Sequence, residues 1–169
     1  MTSFQIEVGS ESETQQLAAK VASNLKEGDI IILEGELGAG KTYFVKFVSK
    51  FFNYKGSVNS PTFNIANFYE ADKTLIHMDL YRLESVEQFF TLGISEFFPD
   101  SITLMEWGNK INEYIEEYIN LKIEHVEGDE NSRKFTFSSV EKDDLLSKLE
   151  KSIVSVSYTH LTLPTICSV

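Results

Sequence analysis

One stretch of the chain carries a pattern typical of phosphate binding. Residues 35–42 read GELGAGKT and match G-x-x-x-x-G-K-[ST] at every fixed position. In such a loop, glycines let several backbone N–H groups turn toward one point, and the following helix directs the positive end of its dipole there. Lys41 would then contact the β- and γ-phosphates, and the Thr42 hydroxyl would bind Mg²⁺. The pattern predicts a nucleoside triphosphate site formed by Gly35, Glu36, Leu37, Gly38, Ala39, Gly40, Lys41 and Thr42.

Two carboxylates stand where predicted strands end. Asp79 closes the apolar run 75–78, and Glu106 closes the run 102–105. Open α/β sheets bind their ligands at the carboxyl ends of the strands, so both acids are expected near the loop. Because Mg²⁺ prefers oxygen ligands, we predict that Glu106 joins Thr42 at the metal. Asp79 is its rival or partner, holding a metal-bound water or polarising the attacking one, and the sequence leaves open which acid is closer.

Other residues allow two interpretations each. Thr62, which follows Pro61, either meets the γ-phosphate and places the attacking water or is an ordinary turn hydroxyl. Arg82 is a surface ion pair or a partner contact, and Trp107 is a packing residue or an anchor at an interface. His77 alternates with its strand neighbours, which favours a core residue over a catalyst.

Composition limits the classes of function. Lys plus Arg is 15 and Asp plus Glu is 26, which gives a formal net charge of −11 over 169 residues. This charge disfavours direct binding to DNA or tRNA, since nucleic acids need clustered cations. Cys167 is the only cysteine, so the sequence predicts neither disulfides nor a thiolate metal cluster. With neither an apolar run of about 20 residues nor a signal-peptide pattern, we expect a cytoplasmic protein without a membrane segment.

The hydrophobic pattern predicts an α/β fold. We expect a single-domain P-loop NTPase-like fold with a central, mostly parallel sheet, antiparallel hairpins and helices on both faces. A capping box of Ser12 and Gln15 predicts a first helix that ends at Gly28. The predicted strands are 4–8, 30–33, 63–69, 74–79, 102–106, 121–126 and 133–138, and the later helical segments are 41–52, 86–92, 114–119 and 140–154.

The C-terminal segment differs in composition from the rest. Residues 155–169 contain no Asp, Glu, Lys or Arg and are rich in Ser, Thr and Leu. We therefore place an ATPase domain at 1–154 and an atypical tail at 155–169. The tail string resembles translated adapter sequence foreign to the protein, and the alternative is a genuine C-terminal strand.

Four motifs in order resemble the TsaE family, also called YjeE. They are GELGAGKT, then SPTF, HMDLYRL and EWG, and the resemblance covers roughly residues 4–137. It implies a small ATPase required for threonylcarbamoyladenosine modification of tRNA beside the anticodon, with ATP and Mg²⁺ as cofactors. It also implies docking on the partner proteins TsaD and TsaB, so that tRNA is contacted only through their complex.

The resemblance implies roles for individual positions. Lys41 and Thr42 match the phosphate and Mg²⁺ residues, and Glu106 matches the second metal-associated acid. Asp79 and Thr62 match the hydrolysis and switch positions. Two residues outside strong motifs, Glu11 and Arg133, lie where the family contacts the nucleotide.

Other classes of function remain open. One is a nucleotide-dependent regulatory module whose hydrolysis is incidental, and another is a small-molecule kinase or GTPase. A kinase is disfavoured because the chain has only two arginines, Arg82 and Arg133, for a cationic lid. A GTPase is disfavoured because the segment 79–82 lacks the glycine of D-x-x-G and Asn112 replaces the aspartate of N-K-x-D. The loop reads phosphates alone, so it does not predict the base.

Overall fold

Strands and helices follow one another along most of the chain. The computed structural model describes residues 2–61 and 63–165, and their side chains up to residue 154. The strands in this part are β1 Ser3–Val8, β2 Ile30–Glu34, β3 Ala66–Glu70, β4 Thr74–Asp79, β5 Ile102–Glu106, β6 Tyr118–Val126 and β7 Asp129–Val140. The α-helices are α1 Glu11–Ser23, α2 Lys41–Phe51, α3 Val86–Leu92 and α4 Asp143–Thr165, with 3₁₀ turns at Ile94–Asp100, Gly108–Lys110 and Asn112–Tyr114.

The strands form one mixed sheet in the order β1-β7-β6-β2-β5-β4-β3. The four central strands, β6, β2, β5 and β4, pair with one another in parallel. The outer pairs β1 with β7, β6 with β7, and β3 with β4 are antiparallel. The parallel centre and the antiparallel hairpins are present as predicted, and the additional antiparallel pairing of β1 with β7 makes the two kinds of ladder equal in number, three of each.

Helical segments cover both faces of the sheet, as predicted. Side chains alternate between the faces along each strand, so Leu104 and Met105 of β5 enter different hydrophobic clusters. The larger cluster packs the sheet against α1, α2 and α4, while the smaller one packs it against α3 and neighbouring 3₁₀ turns. None of the described helices is both long and apolar enough to cross a membrane.

The start and end of α1 differ from the prediction. The N-cap is Ser10, whose hydroxyl accepts a hydrogen bond from the Glu13 backbone N–H at 3.1 Å, and not Ser12. Both serines fit the capping-box spacing, so the sequence alone did not separate them. The helix ends at Ser23 instead of Gly28, because the Asn24 side-chain amide donates to the Lys20 carbonyl at 2.8 Å.

The prediction of a helical segment at 114–119 is wrong. Only Asn112–Tyr114 is a 3₁₀ turn, and β6 begins at Tyr118. Ile119 pairs with Ile31 of β2, so pairing with this strand, and not the helical spacing of the sequence, determines the conformation of the segment.

At the tail, α4 continues beyond the predicted end at Val154, and its backbone is helical to Thr165 where a strand was the alternative. Whether the tail is native stays untested.

Candidate functional site

The glycine-rich loop joins the end of β2 to the start of α2. Gly38 and Gly40 have φ of 82° and 111°, values that residues with a Cβ atom rarely adopt. At Gly35 the constraint is steric, since a Cβ there would lie 2.7 Å from the Ile123 carbonyl oxygen. The loop thus takes the strand, loop, helix setting that the motif requires.

Lys41 is folded back onto this loop. Its Nζ donates a hydrogen bond to the Gly35 carbonyl at 2.6 Å and lies 3.7 Å from Oε1 of Glu106. The ammonium is therefore held at the loop between a carbonyl and a carboxylate, where a phosphate group would compete for it.

The two predicted acids meet at one edge of the sheet. Asp79 and Glu106 are direct neighbours in the parallel pairing of β4 with β5, and both line the cavity over the loop. Both are largely buried, at 8% and 5% exposure. One oxygen of Asp79, Oδ1, accepts a hydrogen bond from the Tyr81 backbone N–H at 3.0 Å.

Glu106 has a second partner that the sequence did not assign to the site. Its Oε2 lies 3.0 Å from Nε2 of His77, which is fully buried in β4. His77 is thus a core residue, as predicted, and also part of the site. Because Glu106 is 29 residues away in sequence, no local sequence pattern predicted this contact.

A cavity of about 1060 Å³ opens over the loop and both acids. Its lining includes residues 34–38, 40–43, Ser60, Asp79, Tyr81, Glu106, Trp107 and Lys122. The rings of Tyr81 and Trp107 are 5.0 Å apart and both side chains are substantially exposed. Thr62 lies outside the described residues. Arg82 stacks over the Phe63 ring at 4.5 Å.

A smaller cavity of about 350 Å³ lies beside the loop. It includes Glu11 and Arg133, and it shares Gly40 and Tyr43 with the larger cavity. The two residues that the resemblance placed near the nucleotide are therefore brought together, adjacent to the phosphate loop. Sequence reasoning missed Tyr43, whose only signal is its position in the first turn after the motif.

Arg133 supports the loop directly. Its Nε donates to the Ala39 carbonyl at 3.0 Å, and one terminal nitrogen donates to the carbonyls of Glu130 at 2.6 Å and Ser132 at 2.9 Å. The guanidinium thus connects the β6–β7 hairpin to the phosphate loop across 94 residues of sequence.

Removing this connection is expected to weaken nucleotide binding without unfolding the protein. In an Arg133→Ala variant the loop loses a charged hydrogen bond, a kind worth about 1.5–3 kcal/mol, so we expect an affinity loss on the order of 10-fold. Titration of Trp107 fluorescence with ATP measures it, since Trp107 is the only tryptophan and lines the larger cavity. Lys134→Ala, which removes the adjacent cation on β7, is the control, and an equal loss in both variants would contradict the role of Arg133.

The donor set of the larger cavity fits a magnesium triphosphate. Thr42, Glu106 and Asp79 offer only oxygen donors, which Mg²⁺ prefers, and the ion commonly takes one or two of these together with phosphate oxygens. The glycine loop and the ammonium of Lys41 offer positive electrostatic potential to the phosphates. Thr42 and one of the two acids, with Glu106 the predicted one, are therefore the residues that would hold the metal.

Comparison with known proteins gives consistent matches. The family profile described as threonylcarbamoyl adenosine biosynthesis protein TsaE matches residues 8–135. The tRNA threonylcarbamoyladenosine biosynthesis protein TsaE of Rickettsia conorii is 43% identical over 106 residues, or 62% of this chain and 61% of that protein. The protein of the same name from Aquifex aeolicus is 42% identical over 128 residues, covering 74% of this chain and 88% of its own. The crystal structure of Bacillus subtilis YdiB aligns with a TM-score of 0.74 at 30% identity, covering 89% of this chain and 95% of its own.

Proposed function

Because the chain belongs to the TsaE family of threonylcarbamoyladenosine biosynthesis proteins, we propose that it is a P-loop ATPase of that pathway. It binds and hydrolyses Mg·ATP, which docks it on a TsaD/TsaB complex and resets that complex between turnovers. The observation that carries the proposal is the single cavity lined by Lys41, Thr42, Asp79 and Glu106. A P-loop NTPase-like fold and a cytoplasmic site of action belong to the same proposal.

The residues of the cavity divide the work of hydrolysis. The backbone of the loop and Lys41 would hold the β- and γ-phosphates in the cavity that Asp79 and Glu106 also line. Thr42 and Glu106 would hold Mg²⁺, which would neutralise charge on the phosphates. Asp79 orients the attacking water through the carboxylate oxygen that the Tyr81 N–H does not occupy. The new P–O bond to water forms as the bond to the β-phosphate oxygen breaks, giving ADP and inorganic phosphate.

The smaller cavity is the proposed site of the base and ribose. It adjoins the loop at Gly40 and Tyr43, and its lining includes Glu11 and Arg133. The exposed ring of Tyr43 offers an aromatic surface to a base.

The acidic net charge supports the proposal that the protein does not bind tRNA directly. A chain with a net charge of −11 lacks the excess of cations that phosphate backbones require. The protein would therefore act on tRNA through partners that hold it, which agrees with docking on TsaD and TsaB.

The proposal is tested by reconstitution with TsaD, TsaB, threonylcarbamoyl-adenylate and tRNA. Modified tRNA is counted over many turnovers with the wild-type protein, with a Lys41→Met variant and with neither. We expect repeated turnover only with the wild type, and equal product in all three reactions would reject the proposed role.

Two other functions predict different products. A regulatory module with incidental hydrolysis would support turnover even when a Glu106→Gln variant binds ATP and releases no phosphate. A small-molecule kinase would transfer labelled γ-phosphate to a metabolite and not to water.

A further inference from the structure

A chain of buried polar groups leads from the candidate site into the sheet. His77 lies between Glu106 on one neighbouring strand and Tyr69 on the other, and its two ring nitrogens face them. Nε2 is 3.0 Å from Oε2 of Glu106, and Nδ1 is 3.3 Å from the Tyr69 hydroxyl. That hydroxyl also lies 3.3 Å from the Asn59 carbonyl oxygen.

The hydrogen-bond donors and acceptors in this series of buried groups follow a definite order. The Glu106 carboxylate only accepts hydrogen bonds, so it selects the His77 tautomer with a proton on Nε2. Nδ1 is then an acceptor, and the Tyr69 hydroxyl is within reach to donate to it. Burial raises the pKa of Tyr69, so this hydroxyl keeps its proton at neutral pH.

Tyr69 has one proton for two acceptors. It can donate to His77 or to the Asn59 carbonyl, but not fully to both. The Asn67 side-chain amide donates to the same carbonyl at 3.2 Å, so Asn59 keeps a partner when Tyr69 turns to His77. The hydroxyl is thus shared between the site and the loop that begins at Asn59.

The same loop is attached to the second acid by another route. Ile65 accepts a hydrogen bond from the Asp79 backbone N–H at 2.8 Å, and its own N–H donates to the Pro61 carbonyl at 3.0 Å. Ile65 has φ of 65°, a strained conformation for a β-branched residue. A backbone held in strain at this position indicates that the surrounding contacts determine where the loop lies.

We propose that His77 is a positioning residue that orients Glu106, and that Tyr69 couples this pair to the position of the loop at residues 59–61. The inference rests on the proposed function for the identity of the ligand, whereas the coupling itself belongs to the nucleotide-free chain. Because Ser60 belongs to this loop and lines the larger cavity, the coupling links ligand binding in that cavity to the conformation of the loop.

Hydrogen exchange on the nucleotide-free protein tests the link through Tyr69. In a Tyr69→Phe variant we expect the backbone amides of Ile65 and Asp79, which are hydrogen-bonded within this loop and to it, to exchange at least 10-fold faster than in the wild type. Tyr54→Phe is the matched control, since it removes a hydroxyl from the ring 4.7 Å from that of Tyr69. Equal exchange in wild type and Tyr69→Phe would overturn the link.

Substitutions of His77 test the positioning of Glu106. His77→Gln keeps an amide donor near the place of Nε2, whereas His77→Asn and His77→Leu do not. We expect the Mg²⁺ concentration that gives half-maximal ATP binding to rise 10- to 100-fold in the Asn and Leu variants. Binding of ATP without Mg²⁺ should stay unchanged, and the Gln variant should stay within 3-fold of wild type.

The outcomes separate this inference from the proposed function. A wild-type protein that binds no nucleotide would reject the function, and the exchange comparison would still decide on Tyr69. A wild type that binds Mg·ATP normally, together with Asn and Leu variants that show the same Mg²⁺ dependence, would overturn the positioning role. If the Leu variant does not fold, the comparison of Gln with Asn decides the question.

Discussion

A Lys41→Met variant is expected to bind ATP on the order of 100-fold more weakly than the wild type. Methionine retains much of the apolar stem of lysine and removes only the ammonium, so the packing at the start of α2 is kept. Hydrogen bonds from a cation to phosphate oxygens are worth about 1.5–3 kcal/mol each. In the nucleotide-free protein the ammonium already contacts the Gly35 carbonyl and Glu106. Because phosphate would replace these contacts and not water alone, the expected loss of ATP affinity is limited to about 100-fold.

The same fluorescence titration of Trp107 measures this loss, with circular dichroism to confirm that the variant is folded. Lys50→Met serves as the control, because Lys50 is an exposed lysine of the same helix. The control should bind ATP as the wild type does. A Lys41→Met variant with wild-type affinity would show that the loop does not hold the triphosphate.

The local parts of the site were predictable from sequence, and the chemistry explains why. A phosphate loop needs glycines at fixed positions, and an acid at the end of an apolar strand reaches the edge of a sheet. Gly35, Lys41, Asp79 and Glu106 accordingly line one cavity. The family resemblance drawn from motifs between residues 4 and 137 is confirmed by a profile match over residues 8–135.

The long-range parts were not predictable, since no periodicity records them. Arg133 reaches the Ala39 carbonyl from 94 residues away, and His77 meets Glu106 across 29. The contact of Arg133 depends on β7 lying two strands from β2, and the contact of His77 depends on the pairing of β4 with β5. The pattern at 114–119 failed for a related reason, because pairing with β2 overrides a helical spacing that is satisfied only over a few residues.

A Glu106→Gln variant is expected to retain the binding of ATP measured without Mg²⁺ and to hydrolyse ATP at least about 100-fold more slowly than the wild type. The substitution keeps the size of the side chain and an oxygen that accepts a hydrogen bond from His77, so the sheet edge should keep its shape. It removes the negative charge that lies 3.7 Å from Lys41, which frees the ammonium for phosphate and preserves affinity. It also removes the carboxylate that would hold Mg²⁺ in the phosphoryl-transfer site, where charge stabilisation provides most of the catalysis.

Asp79→Asn is the matched variant, because it changes the adjacent acid in the same way and retains the oxygen that accepts from Tyr81. If Glu106 is the metal acid, Glu106→Gln loses the enhancement of ATP binding by Mg²⁺, whereas Asp79→Asn keeps that enhancement and loses hydrolysis. The reverse pattern would exchange the two roles, and wild-type rates of phosphate release in both variants would contradict hydrolysis at this edge of the sheet. Asp79 and Glu106 are neighbours in adjacent strands, so measuring ATP binding with and without Mg²⁺, together with phosphate release, shows which of the two carboxylates acts on the metal and which acts on the water.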